Sequence, residues 1–162
     1  MKSQNILFLD IDGVMNDEEY FSTNLDRKGD ELFINKKKVE LLNTLADKIP
    51  GLEIVISSSW GEDAIKPLKK LGLKIYIDGS TEHFHEDWIT RGNEIERYLL
   101  GRFGGMGTKF GDKYRNSSYN YAIVDDNDDI LFGQAKHFVQ TDERYGLTEK
   151  DIQKIVEIFE NG

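Results

Sequence analysis

Short apolar runs alternate along this chain with segments of helical periodicity, and this alternation restricts the fold more than any other feature. The runs at 6–9, 52–56 and 121–124 contain almost no polar residues. A strand with one exposed face would alternate apolar and polar positions, so these runs predict strands that are covered on both faces. Covered strands separated by helices are typical of an α/β fold with a mainly parallel sheet.

The pattern predicts five strands and four helices. The strands are expected at 5–10, 52–57, 73–77, 119–124 and 137–140, and the helices at about 35–48, 63–71, 91–100 and 149–160. The last helix has the clearest signals, because Thr148 can cap its N-terminus and its apolar residues recur on one face. Gly72 and Gly101 lie where helix C-caps are expected.

Composition narrows the classes of function. With 162 residues the chain fits one domain, residues 1–162. There is no cysteine, so disulfides, zinc–thiolate sites and cysteine nucleophiles are excluded. No apolar run is long enough to span a membrane and no signal segment is evident, so we expect a cytoplasmic protein without membrane association. No stable protein partner can be inferred.

Two segments interrupt the alternation of strands and helices. Residues 16–34 are polar with a few apolar anchors, and they predict a small cap-like insertion. Residues 102–118 are rich in glycine and basic residues, and they predict a loop or short hairpin. A net charge of −9 argues against wholesale binding of a nucleic-acid backbone. The second segment is nevertheless locally basic and could track such a backbone; its basic residues are Arg102, Lys109, Lys113 and Arg115.

The first strand ends in a pair of acidic residues followed by glycine. Asp10 and Asp12 are two positions apart, so in an extended chain they project to the same face. Carboxylates this close repel each other unless a cation or a shared proton offsets their charge. Gly13 allows a sharp turn and leaves space for a ligand. The arrangement suits an aspartate nucleophile with an acid/base partner and Mg²⁺; the simpler alternative is an acidic turn that ends a strand.

Further polar residues follow the other strands. In a parallel sheet, ligands bind beyond the carboxyl ends of the strands where the chain order reverses. The second strand is followed by Ser57-Ser58-Ser59-Trp60, the fourth by Asp125-Asp126, and Arg91 opens a predicted helix. A nucleophile pair, a hydroxyl, a cation and a second acidic cluster are the groups that phosphoryl transfer to a carboxylate requires.

These four elements, in this order, resemble the haloacid dehalogenase (HAD) superfamily of aspartate-nucleophile phosphatases. Asp10-Ile11-Asp12-Gly13-Val14 matches the first motif, Ser57 the second, Arg91 the third and Asp125-Asp126 the fourth. Together with Arg91-Gly92-Asn93 and Thr141-Asp142, they most resemble the small, cap-poor HAD domains found with RNA-repair proteins. The resemblance implies a Rossmann-like three-layer α/β/α sandwich with a minimal cap.

The resemblance also implies roles for individual residues. Asp10 would attack phosphorus and bind Mg²⁺, and Asp12 would act as general acid and base while its backbone carbonyl ligates the metal. Ser57 and Arg91 would serve catalysis and, with Ser58 and Gly13, bind the substrate phosphate. Asp126 would be the direct metal ligand, with Asp125 as a second ligand or an orienting group. The family more often has Lys than Arg at the third motif. Lys66, Lys69 and Lys70 are therefore alternative candidates for the positive charge.

Several alternatives remain open at the level of the sequence. Ser58 or Ser59 could be the functional hydroxyl instead of Ser57. Trp60 could pack in the core or stack on a base. Asp128 and Asp129 could cap a helix or support the site. A receiver domain is disfavoured because its paired acids are adjacent and its phosphoacceptor follows the third strand. A catalytically silent metal- or phosphate-binding module keeps the same fold but does not need Asp12. The expected substrate is a nucleotide or a phosphorylated polynucleotide end; a small-molecule phosphatase is the alternative.

Overall fold

The computed structural model describes residues 3–84, 88–104 and 118–162. Five strands form one sheet in which every pairing is parallel: β1 (Gln4–Leu9), β2 (Leu52–Ile56), β3 (Tyr76–Ser80), β4 (Tyr119–Asp125) and β5 (Phe138–Gln140). Their order across the sheet is β3-β2-β1-β4-β5. The chain therefore builds outward from β1 in one direction and then returns to add β4 and β5 on the other side.

Six α-helices accompany the sheet in the described residues: α1 (Glu18–Thr23), α2 (Lys36–Asn43), α3 (Leu45–Lys48), α4 (Ile65–Lys70), α5 (Arg91–Phe103) and α6 (Glu149–Asn161). Short 3₁₀ turns lie at Gly29–Leu32, Gly61–Ala64 and Phe132–His137. None of the helices described is long and apolar enough to cross a membrane.

Helices cover both faces of the sheet. Alternate residues of β1 belong to separate cores, with Leu7 and Leu9 in the larger one and Ile6 and Phe8 in the smaller. The larger core includes the apolar faces of α2, α3, α4 and α6, and the smaller one includes that of α5. Because both faces are buried, the central strands need apolar residues at every position. The predicted three-layer α/β/α sandwich is confirmed.

Two elements differ from the sequence prediction for local reasons. The helix expected at 35–48 is divided at Thr44, whose hydroxyl donates to the Leu41 carbonyl and competes with the helical backbone. The third strand begins and ends later than expected. It continues through Gly79, because this residue has φ +145° and accommodates a shift in register against β2 instead of ending the strand. Gly72, with φ +97°, does follow the end of α4 as predicted.

Helix α5 is longer than predicted, and this changes the interpretation of the basic segment. Gly101 lies inside the helix, which continues to Phe103. Arg102 is almost fully buried, and its guanidinium donates to Asp78, Glu53 and Gln4 at 2.6–2.8 Å. The prediction that Arg102 belongs to a backbone-tracking loop is therefore wrong, since this charge is used inside the protein. Residues 105–117, with the other three basic side chains, lie outside the described residues.

Replacing Arg102 by Ala should strongly destabilise the protein. The substitution leaves the Glu53 and Asp78 carboxylates near each other without their shared cation, and breaking a buried ion pair costs about 3 kcal/mol or more. Chemical denaturation measures this loss. Arg97→Ala is a control on the same helix, because Arg97 pairs with Glu82 in an exposed contact that contributes about 1 kcal/mol or less. Equal effects of the two substitutions would contradict a structural role for Arg102.

Candidate active site

The candidate site lies where the strand order reverses, between β1 and β4. Asp10 directly follows β1, and its amide donates to the Val124 carbonyl at 3.1 Å. Asp125 is the last residue of β4. The paired strands thus bring two carboxylates together at the carboxyl edge of the sheet, and both are buried, at 6% and 2% exposure. This is the position at which open parallel sheets bind ligands.

Three carboxylates at this edge have the geometry of a cation site. Asp10, Asp125 and Asp126 each offer one oxygen, and these oxygens lie within 4.8 Å of one another. Gly13 makes this approach possible, because it has φ +74° and a Cβ there would lie 2.3 Å from Asp126 Oδ2. Carboxylate oxygens are preferred ligands of hard divalent cations such as Mg²⁺, so the donor set fits the predicted metal. Asp12 is not part of this side-chain cluster.

The electrostatics of this cluster favour binding a cation. Burial raises the pKa of Asp10 to about 6, against the opposing effect of the nearby Arg91 charge. Burial and the Asp10 charge raise the pKa of Asp125 to about 8, although its Oδ1 accepts a hydrogen bond from the Asn127 amide at 3.0 Å. Without a cation, the Asp125 carboxyl therefore keeps its proton near neutral pH. A bound divalent cation would favour the ionised form of both groups.

Arg91 brings a fixed positive charge to the cluster, as predicted. It is the first residue of α5, whose N-terminus is fixed by a capping box between Thr90 and Asn93. Its guanidinium lies 3.9 Å from Asp10 Oδ1 and 3.4 Å from Asp125 Oδ2. The rival cations are elsewhere: Lys66 and Lys69 are exposed, and Lys70 pairs with Asp30 at 3.5 Å. We therefore assign the cation of the site to Arg91.

The position of Arg91 depends on Glu94, which the sequence reasoning missed. Glu94 is 3% exposed, and its Oε2 accepts a hydrogen bond from Arg91 at 3.0 Å. Its Oε1 contacts His83 Nδ1 at 2.9 Å and accepts from the Phe84 amide at 3.0 Å. Glu94 thereby ties the chain after β3 to Arg91. The spacing of three residues on a helix was the available signal.

The start of α5 is also held against the segment that follows β4. The Arg91 amide donates to Asp129 Oδ2 and the Gly92 amide to the Asp129 carbonyl. Asp129 thus satisfies two amides at the start of α5, although the N-cap residue of this helix is Thr90. A Cβ on Gly92 would lie 2.4 Å from the Leu131 amide, so only glycine permits this close packing. The contact fixes Arg91 relative to Asp125.

The three serines after β2 have different surroundings. Ser57 is buried, and among the described residues its hydroxyl has no hydrogen-bond partner. The Ser58 side chain lies near the Asp10 carboxylate, and its hydroxyl accepts a hydrogen bond from the Trp60 amide at 3.4 Å. Ser59 is exposed. A buried hydroxyl without a partner is costly, and a phosphoryl oxygen would satisfy it. This favours Ser57 as the predicted phosphate-binding hydroxyl and places Ser58 beside Asp10.

Asp12 is exposed, and two side-chain donors hold its carboxylate. Asn16 Nδ2 donates to Oδ1 at 2.9 Å, and Trp60 Nε1 donates to Oδ2 at 3.0 Å. Trp60 is half-buried and packs against the larger core, as one of its two predicted roles required, while its indole N–H is used by Asp12. The Gly13 amide donates to Asn16 Oδ1 at 2.9 Å. Gly13 thus shapes the site through its conformation, since its N–H already has a partner within the protein.

Comparison with known proteins agrees with this fold. Residues 6–152 match the family described as "HAD domain in Swiss Army Knife RNA repair proteins", and the chain belongs to this family. No curated protein matches the sequence.

Two solved structures have a similar fold. The HAD domain of the effector protein Lem4 from Legionella pneumophila superposes with a TM-score of 0.53 at 16% identity, covering 99% of this chain and 96% of that chain. An inactive mutant of the same domain gives a TM-score of 0.51 at 16% identity, with 99% and 95% coverage. At this identity the likeness concerns the fold alone.

The acidic cluster should make the metal-free protein less stable as pH rises. Because the folded-state pKa of Asp125 is raised from 3.8 to about 8, the folded state holds a proton there that the unfolded chain releases. The free energy of unfolding therefore falls as pH rises towards 8. Between pH 6.5 and 8.5 we expect the melting temperature to drop by about 5 °C and Mg²⁺ to reverse much of the loss.

The Asp125→Asn variant should flatten this pH dependence, whereas the exposed Asp47→Asn control should retain it. Calorimetry above pH 6.5 also avoids His137, whose pKa is lowered by burial and which acts in the opposite direction at lower pH. An unchanged slope in the Asp125 variant would show that the cluster does not carry this charge repulsion.

Proposed function

We propose that the protein is a Mg²⁺-dependent phosphomonoester hydrolase that acts through an aspartyl-phosphate on Asp10. The observation that carries the proposal is the cluster of three carboxylates beside Arg91, two of them buried, at the carboxyl ends of β1 and β4. Such a cluster requires compensation by positive charge, and a metal with a phosphoryl group would provide and use it. Membership of the HAD family supports the same reaction class.

Each residue would have a distinct role in phosphoryl transfer. Asp10 would attack phosphorus, and Asp12 would give a proton to the departing oxygen and later take one from the attacking water. Arg91 would neutralise phosphoryl oxygens and hold the Asp10 carboxylate in place. The Ser57 hydroxyl, with help from Ser58, would donate to a phosphoryl oxygen.

The metal would be held by Asp10, Asp125 and Asp126, together with the backbone carbonyl predicted for Asp12. When bound, Mg²⁺ supplies charge neutralisation, which allows an anionic carboxylate to approach an anionic phosphate.

Asp10→Asn should abolish Mg²⁺-dependent phosphatase activity without loss of folding. An amide cannot form the aspartyl-phosphate, and removal of one buried charge from the cluster should keep or raise the melting temperature. Phosphate release from an aryl phosphate measures the activity, with Asp47→Asn as the exposed control. Turnover by the Asp10 variant comparable to that of the unsubstituted protein would contradict the assignment of the nucleophile.

For the substrate, we propose a nucleotide or a phosphorylated polynucleotide end. The family description, which refers to RNA repair proteins, supports this class. The insertion at 16–34 contains only α1 and one 3₁₀ turn, and Asp12 above the cluster is exposed, which suits an extended substrate. The predicted basic segment contributes less than expected, because Arg102 is buried. A small-molecule phosphatase and a catalytically silent phosphate-binding module are the alternatives.

A substrate panel tests this part of the proposal. If Lys109, Lys113 and Arg115 guide a phosphate backbone, 5′- or 3′-phosphorylated oligonucleotides should outcompete mononucleotides. Their advantage should shrink with added salt, by a slope of about −0.7 in log affinity against log salt for each phosphate neutralised on a single strand. Changing all three residues to Ser should raise KM for oligonucleotides and flatten the slope.

The matched control removes the same charge elsewhere, from Lys36, Lys37 and Lys48 on α2 and α3, and should leave the oligonucleotide advantage intact. An equal loss in both triple variants would assign the effect to net charge alone. No advantage of oligonucleotides in the unsubstituted protein would favour the small-molecule alternative, and no turnover of any phosphate ester would favour the silent module.

A further inference from the structure

Burial restricts the orientation of the Asp10 side chain, whereas Asp12 is exposed and needs other contacts to fix the orientation of its carboxylate. A general acid must stay within hydrogen-bond reach of the leaving oxygen, and small misplacements of a catalytic group cost rate. An exposed aspartate side chain rotates freely unless other groups hold it. In this chain, Asn16 and Trp60 each donate one hydrogen bond to a different oxygen of the Asp12 carboxylate, at 2.9 and 3.0 Å.

The asparagine donor is itself fixed. Asn16 is 2% exposed, and its Oδ1 accepts from the Gly13 amide. Its Nδ2 also donates to the Phe33 carbonyl at 2.8 Å. The side chain therefore has no freedom to turn away from Asp12. This bond also attaches the end of the insertion at 16–34 to the turn that follows β1.

The tryptophan donor is held from two sides. Its backbone belongs to the turn after β2, where the Gly61 amide donates to the Ser58 carbonyl and the Asp63 amide to the Trp60 carbonyl. Its ring meets the Phe33 ring edge to face, with centroids 6.0 Å apart. Asp12, Asn16, Phe33 and Trp60 thus form a closed ring of contacts that joins the insertion to the loop after β2.

This ring of contacts is compatible with proton transfer. Each carboxylate oxygen has two acceptor sites, and each accepts one of these two bonds, so both oxygens keep a site for a proton or for water. The donors restrict the orientation of the carboxylate without occupying its full capacity.

We propose that Trp60 is a positioning residue that, together with Asn16, aims the Asp12 carboxylate at the leaving-group oxygen. This proposal rests on the proposed phosphatase function and deepens it, since it assigns to the small insertion and the loop after β2 the orientation of the general acid. Phe33 braces both donors, one through its carbonyl and the other through its ring.

The kinetic test uses Trp60→Phe, which keeps the ring and removes the donor. Loss of one hydrogen bond to a charged group should lower kcat/KM on an alkyl phosphate about tenfold. The effect on an aryl phosphate with a good leaving group should be smaller, because its departure needs less help from an acid. kcat/KM is the suitable parameter because it covers the steps up to departure of the leaving group.

The matched control is Trp88→Phe, at a tryptophan that is 78% exposed, which should behave like the unsubstituted protein. Asp12→Asn should show the same leaving-group dependence as Trp60→Phe but a larger loss. Equal losses on the alkyl and aryl esters, or no loss on either, would overturn the positioning role. Inactivity of the unsubstituted protein on both esters would instead contradict the proposed function.

A second measurement tests the contact without relying on activity. The chain has two tryptophans, so an amide-proton NMR spectrum contains two indole N–H resonances, and Trp88→Phe assigns them. The Trp60 resonance should be shifted downfield and protected from exchange relative to that of Trp88. In Asp12→Ala it should move towards the exposed position and exchange faster. A Trp60 indole resonance that does not respond to Asp12→Ala would overturn the proposal, whatever the kinetics show.

Discussion

The repulsion among Asp10, Asp125 and Asp126 is the constraint that organises the surrounding structure. Parallel pairing of β1 and β4 forces two of these carboxylates to the same buried edge, where the charged form is disfavoured. The capped start of α5 brings Arg91 to within 4 Å of two of them, and Gly13 leaves room for the third. Each of these features allows acidic side chains to lie close together. A cation must balance the negative charge that Arg91 leaves uncompensated.

Further hydrogen bonds fix the side chains around this cluster. Glu94 accepts a hydrogen bond from Arg91 and is itself bonded to the chain after β3. In the same way Asn16 and Trp60 hold the Asp12 carboxylate. The Ser57 hydroxyl is buried and has no partner among the described residues, which makes it a suitable donor to a phosphoryl oxygen.

The sequence was sufficient to predict the parallel sheet and the convergence of Asp10, Ser57 and Asp125, because the ends of buried parallel strands must meet at one edge. Arg91 opens a helix, and only the family resemblance pointed to its place beside them. The sequence was not sufficient for contacts that depend on the path of a turn. The role of Asn16 follows from how the chain turns after Gly13, and that of Trp60 from a contact across 48 positions in sequence. The prediction for Arg102 was wrong for a related reason. Arg102 stands at the start of a glycine-rich segment, and nothing in the sequence indicates that it lies buried in the last turn of a helix.

The central claim is that hydrolysis proceeds by two successive displacements at phosphorus, with Asp10 as the first nucleophile. The stereochemical course tests this most directly, with an isotopically chiral phosphate ester hydrolysed in isotopically labelled water. Each in-line displacement inverts the configuration at phosphorus, so two displacements predict net retention. Net inversion would mean that water attacks the substrate directly, and it would contradict a covalent intermediate on Asp10.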